Sequence, residues 1–234
     1  MITRTRITNF KNYFLKILII FCSLGGVLIS FFRAQKDGFS TWYKRTMYFT
    51  AQSNLWIGLT TLIMLVFALL NFNKNGNLLQ TLFTLKYIFT VSITMTAIVF
   101  FALLIPFADK SFHIYSLSSF LTHVFSPLFS ILDWIFFDKP SKNKKTPLPF
   151  VILPPLFYTT VSFILSALKV DFGRGVKYPY IFLSYTSPAG IFGFSKEQPV
   201  LGLFYWILIL SALTLLVGFI LLKIKTKPPK NITI

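Results

Sequence analysis

The chain has 234 residues, of which 55% are hydrophobic and 12% charged, and its mean hydropathy is +0.70. That excludes an ordinary water-soluble domain and predicts a polytopic membrane protein with a single domain spanning residues 1–234. The net charge of +17 could suit nucleic acid, but the 23 Lys and Arg are spread over every hydrophilic segment, so basic loops beside anionic lipid account for them and nucleic acid is not an expected partner.

Arg4, Arg6, Lys11 and Lys16 precede an apolar run at 17–32. Ser23, Gly25 and Gly26 resemble a signal-peptide cleavage site. The run continues past them, however, and approaches the roughly 17 residues that cross a bilayer, so an uncleaved first span is predicted. Further spans are predicted at 47–72, 82–107, 117–137, 148–168 and 200–222, giving an all-α bundle of six transmembrane helices. With six spans, fourteen basic residues fall on the side of both termini, Lys16, Lys74 and Lys86 among them, and nine on the other. The positive-inside rule then places both termini in the cytoplasm, with the protein multi-pass in a plasma membrane. The glycosylation-type triplet at 231–233 is read as chance. Cys22 is the single cysteine and His113 and His123 the only histidines, so no disulfide framework, metal site or cofactor is expected.

The fourth span carries Ser116, Ser119, His123, Ser126, Ser130 and Asp133 at offsets of 3, 4, 3, 4 and 3, one face of a helix. In hydrocarbon such a face must turn inward. Pro127 cannot donate to the His123 carbonyl, so the helix should open locally there. Thr50, Ser53 and Asn54 share a face at the start of the second span. That span runs in the same direction as the fourth, so Thr50 and His123 should lie at similar depth, toward the outer leaflet. Thr90 with Thr94, and Tyr158 with Ser162 and Ser166, make smaller polar faces. The long aromatic connection at 169–199 either folds over the outer mouth or rests on lipid.

A Thr hydroxyl beside a neutral imidazole supplies the minimum for acyl transfer, with Gln52, Ser53 or Asn54 as donors to an oxyanion. The bland alternatives are that Thr50 caps or packs its helix and that His123 is hydrogen-bonded within the bundle. Asp133, ten residues beyond His123, reads as a structural partner for Lys or Arg. His113 reads as a surface residue, and haem ligation by the two histidines is discounted because they lie at different depths in one short segment.

Tyr48-Phe49-Thr50, then His123 with Pro127 and Asp133, and Tyr178-Pro179-Tyr180 together resemble the androgen-induced membrane hydrolase family, above all its bacterial six-span relatives. The run from Thr50 to Asn54 is similar to the bacterial branch, and 18 Lys against 5 Arg also suits an AT-rich bacterial genome. The resemblance implies a threonine nucleophile and a histidine that hydrolyse lipid esters. Those roles fall on Thr50 and His123, with Tyr178 and Tyr180 in the substrate-binding region. The expected function is therefore an integral membrane lipid acyl-ester hydrolase whose partners are membrane lipids. The alternatives are an acyltransferase using the same dyad and a non-enzymatic lipid-binding or transport protein.

Overall fold

The structure, a computed structural model, describes residues 2–70, 76–106, 116–138, 147–173 and 175–226. Among them, six helices are long and apolar enough to cross a membrane and form one bundle: α1 (Phe10–Arg33), α2 (Phe49–Leu69), α3 (Asn77–Leu104), α4 (Leu117–Phe136), α5 (Leu148–Ala167) and α6 (Leu203–Lys225). This is the architecture of a multi-pass membrane protein. Lys74, Lys110, His113, Lys139 to Lys145, Arg174, Lys227, Lys230 and the triplet at 231–233 lie outside the described residues.

Helix α3 is the hub, packing on α2, α4, α5 and α6, and half of its apolar window (50%) is buried, against 22% for α5 and for α6 at the periphery. In lipid there is little hydrophobic drive between helices, so close approach depends on small residues. Gly58 and Gly26 supply it. A Cβ on Gly58 would lie 2.5 Å from Ser23 Oγ, and one on Gly26 would lie 2.7 Å from Thr122 Cγ2, so α1 nests against both α2 and α4. Tyr87, Val91, Trp134, Val151, Val217 and Leu221 form the apolar core at one end of the bundle. Tyr158, Phe182, Leu183 and Leu203 form another at the opposite end.

The polar stripe of α4 does turn inward, with Ser126, Ser130 and Asp133 fully buried. Asp133 meets two lysines. Lys16 Nζ lies 2.8 and 3.0 Å from its carboxylate oxygens and Lys86 Nζ 3.1 Å from one of them. Lys16 also reaches Asp138 at 3.2 Å, and Lys86 donates to Thr61 Oγ1 at 2.7 Å. Lys16, expected in the arm before the first span, thus belongs to the buried lattice: α1 is already helical there, and α3 likewise extends N-terminal to Leu82. At the same end Lys225 donates to the carbonyls of Trp134 and Ile135 at 2.7 and 3.0 Å, satisfying acceptors that the last turn of α4 leaves open.

Removing one member of a buried, balanced cluster strands its partners. Asp133→Ala is expected to destabilise the bundle by about 3–5 kcal/mol in thermal unfolding from detergent micelles, whereas Asp133→Leu combined with Lys86→Met, which keeps the charges matched, costs less.

Candidate functional site

Thr50 stands in the first turn of α2. Tyr48 is extended (φ −96°, ψ 139°) and the helix begins at Phe49. The Ala51 and Gln52 amides donate to the Tyr48 carbonyl at 3.0 and 3.2 Å. The Phe49 and Thr50 amides and the Thr50 hydroxyl lie near the phenol of Tyr180, close enough to interact with it but without a hydrogen bond of good geometry. A helix start of this kind presents N–H groups and a partial positive charge to whatever lies above it.

His123 sits in a wide turn of α4, Leu121–Phe125, where the bonding pattern slips from i+4 to i+5. Proline explains the slip. In a regular α-helix the missing Pro127 amide would orphan the His123 carbonyl. Here the Ser126 amide donates to the Leu121 carbonyl, so the orphan becomes the Thr122 carbonyl. Asn54 answers it: its Nδ2 donates at 3.2 Å to the Thr122 carbonyl and at 2.8 Å to that of Thr50. One amide thus ties the residue preceding His123 to the backbone of Thr50. Two further wide turns meet α4 here. Phe21–Gly25 of α1 packs on it, and Phe100, which opens the wide turn Phe100–Leu104 of α3, stacks on the His123 ring at a centroid separation of 3.9 Å and 18°. Single wide turns of this type cluster at functional sites.

The outcome is a contact of 3.2 Å between Thr50 Oγ1 and His123 Nε2. On the opposite ring edge Nδ1 lies 3.1 Å from the Ser119 carbonyl, which only accepts, so Nδ1 carries the proton. Thr122 Oγ1 at 3.1 Å and Ser119 Oγ at 3.4 Å crowd the same edge. Nε2 is therefore left with a lone pair facing the Thr50 hydroxyl. That is the polarity a general base requires.

The remaining expected site residues divide. Gln52 donates to the Thr46 carbonyl at 2.9 Å and braces the turn before α2. Ser53 bonds the Thr50 carbonyl at 3.2 Å and Thr96 Oγ1 at 2.8 Å. With Asn54 committed to two carbonyls, this trio builds the frame around Thr50, and its donors are directed at protein rather than at open space. Tyr178 is half-buried and pairs with Thr186 Oγ1 at 2.6 Å. Tyr180 alone of the five borders the Thr50 hydroxyl. Burial raises its phenol above the ordinary value, so at neutral pH it is protonated and can donate.

Tyr180 comes from the long connection between α5 and α6, which folds back onto the start of α2. Tyr180 packs edge-on against Tyr48 and face-on against Phe182. Gly173, at φ +106°, lies so close to Phe39 that a Cβ would sit 2.4 Å from its ring, a conformation and clearance only glycine meets. Lys44 Nζ binds Asp171 at 2.5 Å, and this hydrogen bond holds the Asp171 carboxyl below its usual range. The tie therefore persists at neutral pH and is released only in acid.

Beside Thr50, on the side away from α4, lies a cavity of about 70 Å³ among α2, α3, α5, α6 and the folded-back connection. Tyr158 lines it, its buried hydroxyl beside Tyr180 and without a hydrogen bond of good geometry. The sequence pattern flags Tyr158 as part of a polar face, but nothing in it signals Phe100 or the cavity, which arise only where separate helices meet. Among the described residues no group of three or more His, Cys, Asp or Glu side chains is gathered to hold a metal.

No protein-family model, curated protein or solved structure matches the chain.

Because Asn54 satisfies a buried carbonyl that no backbone amide can reach, Asn54→Leu is expected to lower stability by about 1–3 kcal/mol in detergent unfolding. Gln52→Ala, at the helix margin, should stay within about 0.5 kcal/mol.

Proposed function

We propose that this protein is a membrane-embedded acyl-ester hydrolase in which Thr50 is the nucleophile and His123 the general base. The observation that carries the reading is the 3.2 Å contact between Thr50 Oγ1 and the unprotonated Nε2 of His123. The pair has a direction, with proton, acceptor and ring orientation set by the Ser119 carbonyl and the Phe100 stack.

The chemistry runs in two balanced steps. Thr50 Oγ1 attacks the ester carbonyl while its proton passes to Nε2. The oxyanion forms near the Phe49 and Thr50 amides, where Tyr180 is a further donor. The tetrahedral species collapses, its bond to the alcohol oxygen breaks, and the imidazolium returns the proton to the leaving alcohol. Water then attacks the acyl-threonine, His123 takes its proton, and the released Thr50 oxygen recovers it as the carboxylic acid departs. The shared order of motifs supports a relationship to the androgen-induced membrane hydrolases and their bacterial six-span relatives. The bland reading, in which the same contact only packs α2 on α4, leaves the free Nε2 lone pair and the adjoining cavity without a role.

Two of the fourteen basic residues counted for the side of the termini, Lys16 and Lys86, are buried in the Asp133 cluster. The remaining twelve still outnumber nine, which supports cytoplasmic termini, a dyad near the outer leaflet and a plasma-membrane setting.

A fluorophosphonate probe should label the wild-type protein in membranes, and Thr50→Ala should abolish labelling. His123→Ala should reduce it by about 10²-fold or more. Labelling that survives Thr50→Ala would remove Thr50 as nucleophile. Release of free fatty acid without added acceptor lipid distinguishes hydrolysis from acyl transfer.

A second expectation concerns the proline. Pro127→Ala restores an amide that lets the wide turn close, rotating His123 away from Thr50. Labelling should fall at least tenfold while thermal unfolding in micelles changes little.

A further inference from the structure

The cavity beside Thr50 has a chemical character that the dyad alone does not explain. Besides Thr50 it is lined by three threonines, Thr96, Thr159 and Thr214, and none of these three offers its proton to the space. Thr159 donates to the Pro155 carbonyl at 2.8 Å, Thr214 to the Leu210 carbonyl at 2.7 Å, and Thr96 to the Ser92 carbonyl at 3.2 Å. Their methyl groups therefore complete a wall made by Met95, Val99, Leu104 and Leu210. The walls are apolar, and at about 70 Å³ the space is several times that needed for one water. A hydrated headgroup would find donors only at the Thr50 end, from Thr50, Tyr158 and Tyr180. A hydrocarbon chain would lie against apolar groups of α3, α5, α6 and the connection.

The cavity also has a direction. One end is Thr50 with the Phe49 amide and Tyr180, where a carbonyl would be attacked, and the other is Leu210 and Thr214, roughly two to three turns into α6. No residue of α4 lines it, so His123 and the cavity lie on opposite sides of Thr50. We infer that this cavity is the acyl-chain site of the enzyme. A single linear acyl chain enters with its carbonyl at Thr50 and its tail toward Thr214, while the alcohol part of the ester leaves on the His123 side. The inference rests on the hydrolase reading and adds which half of the ester is measured. The floor formed by Leu210 and Thr214 sets the chain length that fits, and the alcohol is the less restricted half.

The test uses the full chain in lipid nanodiscs, with a series of p-nitrophenyl esters from acetyl to hexadecanoyl and, separately, a decanoic acid carrying a terminal diazirine. In the wild type kcat/KM should rise about fourfold per methylene until the cavity is full and then level off. Thr214→Leu, which fills the floor, should move the break to shorter chains, and Leu210→Ala should move it to longer ones. Photolysis should crosslink the diazirine to Met95, Leu210 or Thr214, and Thr214→Leu should reduce that labelling at least fivefold. Identical length profiles in all three proteins, or crosslinks confined to α1 and α4, would overturn the inference. Crosslinking at the cavity floor without Thr50-dependent turnover would uphold the chain site and count against the dyad. Thr50-dependent turnover with a flat length profile would do the reverse.

Discussion

Inside a bilayer every backbone acceptor needs a donor from the protein itself, and this constraint organises the site. Pro127 removes one amide from α4. The helix responds by slipping one residue, and the carbonyl left over belongs to Thr122 rather than His123. Asn54 reaches across from α2 to satisfy it and holds the Thr50 carbonyl with the same nitrogen. A backbone defect in one helix is thus repaired by a side chain from another, and the repair fixes the distance between Thr50 and His123. Gly26 allows α1 to press against the slipped turn, and Phe100 caps the imidazole from α3.

The two ends of α4 serve different purposes under the same rule. At one end Asp133 balances Lys16 and Lys86, with Asp138 completing the set, so these four buried side chains carry two charges of each sign. These contacts join α1, α3 and α4 through long, strongly desolvated side chains and give the helices a common register. At the other end the polar groups are neutral, and one lone pair, that of His123 Nε2, faces a hydroxyl. Balanced charge holds the bundle together where no chemistry is proposed. Proton transfer is proposed where the polar groups carry no net charge and a connection folds over them.

That connection links fold to function. Its Tyr180 brings a protonated phenol to the start of α2, while Phe182 and Leu183 close one wall of the cavity. The site therefore offers three distinct environments around one hydroxyl: a base toward α4, amide and phenol donors at the helix start, and an apolar slot between α3, α5 and α6. An ester presents three matching parts, namely a leaving alcohol, a carbonyl oxygen and an acyl chain.

Much of this was legible in the sequence. Long apolar runs specify six helices because hydrocarbon admits few other spanning structures, and the 3-4 spacing from Ser116 to Asp133 specifies which face of α4 is hidden. Shared direction and offset from the helix start place Thr50 and His123 at similar depth. The sequence also assigns Asp133 to a basic partner. What it could not express was which helices are neighbours around the bundle. Lys16 and Lys86 look like charges at the margins of their spans until Asp133 is seen between them. Gln52, Ser53 and Asn54 look like free donors until the carbonyls of Thr46, Thr50 and Thr122 are seen in front of them. Periodicity fixes the face and depth of a side chain along its own helix, whereas a pairing or a cavity depends on the packing of several helices, which only the tertiary structure decides.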